Sequence, residues 1–83
     1  MNDIGMQREI LSILLRLDGI AVRETILATE TEIAVKYPIT TAEFKREMDE
    51  LLGTRRVKRS FDPFGEALYE ITGAGKDALM GRG

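Results

Sequence analysis

Residues 55–75, RRVKRSFDPFGEALYEITGAG, set two β-compatible runs around a four-residue turn signal. RVKRSF and ALYEI both alternate, and between them DPFG puts Asp62 at the first turn position, Pro63 at the second and Gly65 at the fourth, the preferred chemistry of a type I turn. The stretch therefore predicts a β-hairpin. Val57, Tyr69 and Ile71 can point into a core, which leaves Arg56, Lys58 and Ser60 on the opposite face. Phe61 shares the strand face of Val57 and Arg59 and is expected to be partly buried; Phe64 sits at the turn itself, where little of the same chain can cover it. Beyond the hairpin, Thr72 is a candidate N-cap for a short last helix carrying Ala74, Ala78 and Leu79. Its GAGK, residues 73–76, lacks the longer glycine-flanked loop and the hydroxyl after the lysine that a phosphate-binding loop needs, and reads as the start of that helix.

Working back from the hairpin, TTAE at residues 40–43 announces a third helix over residues 41–52. Thr40 or Thr41 can cap its free N–H groups, and Glu43 stands three residues after Thr40 as in a capping box. Phe44, Met48, Leu51 and Leu52 form its apolar face, and Gly53 is expected to supply a left-handed C-terminal residue. The opposite side shows Ala42, Arg46, Asp49 and Glu50, with Lys45 on the flank. Only PIT separates this helix from the one before it, so the two meet at an angle as a helix-turn-helix pair. The second helix is expected over residues 23–37, with an apolar stripe of Ile26, Ile33 and Tyr37 and with Pro38 ending it. Residues 20–22 read as a short extended segment. The first helix is expected over residues 6–17, because Met6, Ile10, Ile13, Leu14 and Leu17 share one face. Ile4, Leu11 and Leu15 make a second stripe, covered either by the rest of the chain or by a second copy in a homodimer.

Charge is uneven along the chain. Residues 1–53 hold six Lys/Arg against ten Asp/Glu, a net of −4, whereas residues 54–83 hold six against four, a net of +2, within an overall −2. The basic surplus sits on the hairpin, at Arg55, Arg56, Lys58 and Arg59, and the acidic surplus on the helices. At 83 residues the chain is expected to form a single domain, residues 1–83, with one small core and no deep catalytic cleft. With no cysteine and no histidine, disulfides, thiolate or imidazole metal sites and Cys-His or Ser-His nucleophiles are excluded. Paired carboxylates such as Glu47 and Glu50 lie on an open helix face with nothing to shift their pKa values, so no enzyme activity and no cofactor are expected. No apolar run approaches the roughly 18 residues that cross a bilayer, so no membrane contact is expected and a cytoplasmic location is the default.

Helix, short strand, helix, helix and hairpin, with LLGTRRVKR leading into the hairpin and LYEITGAGKDAL leaving it, resembles a winged helix-turn-helix domain across nearly the whole chain. Tyr69, Ile71, Thr72 and Gly75 resemble the hydrophobic-Thr-x-x-Gly exit of bacterial winged-helix regulators of the MarR and PadR kind, and the chain's compactness resembles that of small phage-encoded winged-helix proteins. The expected fold class is mainly α with a small β-hairpin (α+β): a three-helix core, a two-stranded wing and a short C-terminal helix. The resemblance implies that the third helix enters the major groove of double-stranded DNA through Thr41, Ala42, Lys45 and Arg46, with Thr40 near a phosphate. It also implies that Arg55, Arg56, Lys58 and Arg59 are wing contacts to phosphate. The implied function is sequence-specific DNA binding by a small, homodimeric transcriptional regulator.

The sequence also supports a second reading. The third helix exposes Glu43, Glu47, Asp49 and Glu50, and carboxylates near phosphates cost binding energy. Lys45 with Asp49 and Arg46 with Glu50 are i,i+4 pairs that a merely solvated face would equally explain. Asp62 and Glu66 flank Phe64 at an acidic hairpin tip. A winged-helix protein-interaction module, using the acidic helical surface and Phe64, is the alternative.

Overall fold

The computed structural model describes residues 3–81. In chain order the elements are α1 (Ile4–Arg16), β1 (Val22–Arg23), α2 (Glu24–Val35), α3 (Thr41–Gly53), β2 (Val57–Phe61), β3 (Ala67–Ile71) and α4 (Gly73–Leu79). Side-chain caps set where three of the helices begin. Asp3 accepts from the Met6 amide at 3.0 Å, so α1 starts earlier than its apolar stripe suggests. Thr40 accepts from the Glu43 amide at 3.0 Å while Glu43 accepts from the Thr40 amide at 2.8 Å, closing the expected capping box of α3. Thr72 accepts from the Gly75 amide and starts α4, as the GAGK reading anticipated.

The hairpin forms in the expected register, with Val57 opposite Ile71, Arg59 opposite Tyr69 and Phe61 opposite Ala67. β1 adds a short third strand, pairing Val22 with Tyr69, so the sheet order is β1-β3-β2. β3 is thus the central strand, and its Ala67, Tyr69 and Ile71 are all buried. At the turn, the Gly65 amide donates to the Asp62 carbonyl at 3.0 Å and Gly65 takes φ +86°, a type I turn followed by a left-handed residue.

The core joins Met6, Ile10 and Leu14 of α1 to Leu27 of α2, Met48 and Leu51 of α3 and the inward face of β3. Gly75 brings α4 close to the sheet: a Cβ there would lie 2.2 Å from the Arg56 carbonyl oxygen, a place only glycine can occupy.

Five expectations are corrected. Leu11 is 3% exposed and belongs to the core, because α1 is wrapped on more sides than one small stripe requires. Leu17, expected on the buried face of α1, is its exposed C-cap. Ile26 and Ile33 are 52% and 65% exposed, and α2 instead buries Leu27 and Thr31. Thr31 tolerates burial because its hydroxyl donates to the Leu27 carbonyl at 2.7 Å. Phe61 is 62% exposed, since its cross-strand partner is the last residue of the ladder. Gly53 is the last helical residue of α3, and the left-handed position falls on Arg55, at φ +60°. There the Arg56 amide donates to the Leu51 carbonyl and the Arg55 amide to that of Leu52, a Schellman closure built on a non-glycine residue.

Candidate nucleic-acid interface

Burial of Phe44, Met48 and Leu51 turns the other side of the first two turns of α3 outward, exposing Thr41, Ala42, Lys45 and Arg46. Thr40 is exposed too, but its hydroxyl is committed to the cap. Across from Lys45 stands the wing. A cleft of about 370 Å³ between α3, the start of α2 and the hairpin is lined by Lys45, Asp49, Arg59, Phe61, Glu66 and Tyr69. The Arg59 guanidinium lies 5.4 Å from the centre of the Phe61 ring, within cation–π range, so the exposed aromatic holds the cation at the cleft. Burial pushes the Tyr69 hydroxyl up from its ordinary value, and the neighbouring Arg59 acts in the opposite sense.

The basic run does not act as one patch. Strand alternation sends Arg59 to the cleft side and Lys58 to the other, where its Nζ is 3.9 Å from Glu70 on the adjacent strand. Arg56 lines a separate surface with Ile4, Arg8, Ala78 and Leu79. Arg55 is exposed at the junction of α3 and β2, its carbonyl accepting from the Thr72 hydroxyl at 2.6 Å. The fold thus brings Lys45 and Arg59 to one cleft and carries Arg56 and Lys58 away from it.

The wing tip is less acidic outward than its sequence suggests. Asp62 Oδ1 accepts from the amides of Phe64 and Glu66, both at 2.9 Å. Glu66 turns to α2, accepting from the Thr25 hydroxyl at 3.0 Å with the Arg23 Nε at 3.9 Å. Phe64 is left standing alone, 94% exposed.

Glu47, expected on the exposed face of α3, is fully buried. Gln7 of α1 donates through Nε2 to its Oε1 at 2.8 Å, and Arg46 donates through Nε to its Oε2 at 3.0 Å. Burial pushes this carboxyl up, but the bonds from Gln7 and Arg46 and the Asp3 amide outweigh it and hold the group below its ordinary 4.5. The signal was present in the sequence: Phe44, Glu47, Met48 and Leu51 fall at i, i+3, i+4 and i+7, so helical spacing alone puts Glu47 on the core face. Neither expected i,i+4 pair of α3 closes among the described residues, because Arg46 turns to Glu47 instead of Glu50 and Lys45 stays clear of Asp49.

Of the expected interface residues, Ile4 is exposed, Leu15 is half-buried against the core and Phe64 is at the wing tip, whereas Leu11 is covered by its own chain. No helix among the described residues is long and apolar enough to cross a membrane.

The whole arrangement is a winged helix. F93 from STIV, described as a winged-helix DNA-binding protein, is similar at a TM-score of 0.71 and 19% identity over 94% of this chain and 82% of F93. RosR of H. salinarum is similar at a TM-score of 0.77 and 22% identity over 92% of this chain. The chain spans 66% of RosR, a little under two thirds. No protein-family model and no curated protein matches the chain.

Proposed function

We propose that the chain is a sequence-specific double-stranded-DNA-binding protein, a small transcriptional regulator that lays α3 and the wing on the duplex. The observation that carries this reading is the pairing of Lys45 on α3 with Arg59 on the wing at one cleft, the two elements a winged helix presents together. The likeness to F93 supports the same partner class. The objection from acidic residues weakens with their placement. Glu47 is buried and Glu43 is bound in the capping box, so only Asp49 and Glu50 remain as open carboxylates on the outward side of α3. In this reading Thr41, Ala42 and Arg46 face base edges, Lys45, Arg55 and Arg59 contact phosphate, and Thr40 lies near a phosphate through the helix start. Arg56 and Lys58 contribute less. A homodimer, joined through the outer side of α1 around Ile4 and Leu15, would read half-sites about one helical turn apart.

The test is fluorescence anisotropy of labelled random duplex in low salt. Wild type should bind, Lys45→Ala/Arg59→Ala should bind several-fold more weakly, and Arg56→Ala/Lys58→Ala should lie closer to wild type. Absence of binding by wild type would overturn the function, and equal loss in both variants would overturn the face assignment. The exposed Phe64 favours one further reading, protein contact at the wing tip. Retention of a partner from nuclease-treated lysate, with its loss in Phe64→Ala, would support that reading over DNA.

A further inference from the structure

Arg46 and Glu47 are neighbours in sequence but meet in an unusual way: the exposed residue on the outward side of α3 is tied through Nε to a carboxylate with no exposure at all. An arginine bound through Nε keeps the end-on edge of its guanidinium, Nη1 with Nη2, facing away from that contact. The Arg46 side chain is 50% exposed, which leaves the guanidinium accessible to a ligand. Glu47 cannot follow a wandering guanidinium, because its other oxygen is fixed at 2.8 Å by Gln7 of α1. A long, rotamer-rich side chain is thereby held in one orientation before any ligand arrives, which reduces the ordering cost of binding. Other groups bear on the site: the Asp3 amide at Glu47, the Asp3 carboxylate, whose second oxygen accepts from Tyr37 at 2.7 Å, and the Glu43 carboxylate, which interacts electrostatically with Arg46. Gln7 and Asp3, which hold Glu47, both come from the start of α1, so packing of α1 on α3 helps set the orientation of Arg46.

We propose that Glu47 is a positioning residue, backed by Gln7, that presents the Arg46 fork to the O6 and N7 of one guanine in the major groove. The proposal rests on the DNA-binding reading above and adds to it the base class that α3 reads. An arginine fork on guanine discriminates by geometry, and lysine in its place keeps the charge but lacks the planar pair of donors.

The experiment begins with selection of duplexes from a randomised pool by the full chain, followed by anisotropy on the selected duplex and on versions with each guanine replaced in turn. For wild type, replacement of one guanine should weaken binding about ten- to a hundredfold. Arg46→Lys should abolish the penalty at that position, so that the selected duplex binds no more tightly than its guanine-replaced version. This variant sits on the surface and preserves the charge against Glu47, so it tests the proposal without threatening the fold. Glu47→Gln and Gln7→Leu should reduce the same penalty, and neither should change it further in an Arg46→Lys background. A purely structural role for Glu47 would instead lower affinity for all duplexes alike, and that result would overturn the proposal. So would a guanine penalty that survives Arg46→Lys. Wild type that binds no random duplex would remove the function itself, a failure distinct from wild-type binding without guanine preference.

Discussion

At Arg55 the backbone adopts φ +60° to close the Schellman turn that hands α3 over to the wing. A side chain in that region costs about 1 kcal/mol relative to glycine, which is favoured at this position. Arg55→Gly should therefore raise stability by about 1 kcal/mol in chemical denaturation while lowering DNA affinity, a separation of folding from function at one residue. Glu47 makes the opposite kind of contribution. A carboxyl whose pKa is lower in the folded chain adds stability above its unfolded value and loses it as pH falls through the folded value. Glu47, Glu43 and Asp3 are all lowered, so stability should decline as pH drops below about 4.5, the ordinary glutamate value. Glu43 owes its shift first to the Thr40 amide, and Asp3 to the Tyr37 hydroxyl. Denaturation midpoints compared across that range should show the decline, and Glu47→Gln should flatten part of it; an unchanged slope in the variant would show that the buried carboxylate titrates without linkage to folding.

Among the elements, those with local punctuation were legible before the structure. The capping box of α3, the DPFG turn and the Thr72 cap each combine a specific side chain with a specific spacing, and all three stand as read. α2 was not legible in this way. Its isoleucines suggested a buried stripe through Ile26 and Ile33, yet tertiary packing chose Leu27 and Thr31, the latter satisfied by its own helix. Glu47 failed for the converse reason, its charge hiding a position that helical spacing assigns to the core. Leu27→Ala should accordingly cost about 2–5 kcal/mol of stability. Ile33→Ala should change it by only about 0.5 kcal/mol or less. Equal costs in a pair of denaturation curves would restore the isoleucine stripe as the packed face. The candidate site was legible in composition but not in direction: the basic run and its division of Lys58 from Arg59 were visible, whereas which of the two faces α3 depends on where the sheet lies.

Over the whole molecule, an acidic chain brings Lys45 and Arg59 from two elements to one cleft, beside the carboxylates of Glu24, Asp49 and Glu66. Formal net charge is −2, so long-range attraction to a polyanion is weak, and the proposed DNA binding would have to come from local contacts at the α3–wing cleft. This makes dependence on salt the most direct probe of the central claim, since each phosphate neutralised releases counterions that added salt opposes. Binding of duplex DNA should be measured by anisotropy over a series of salt concentrations, with the logarithm of the binding constant plotted against that of salt. Three or four phosphate contacts per chain predict a slope of about −3 to −4, and about twice that for a dimer. A slope near zero, or no binding at the lowest salt, would contradict the account.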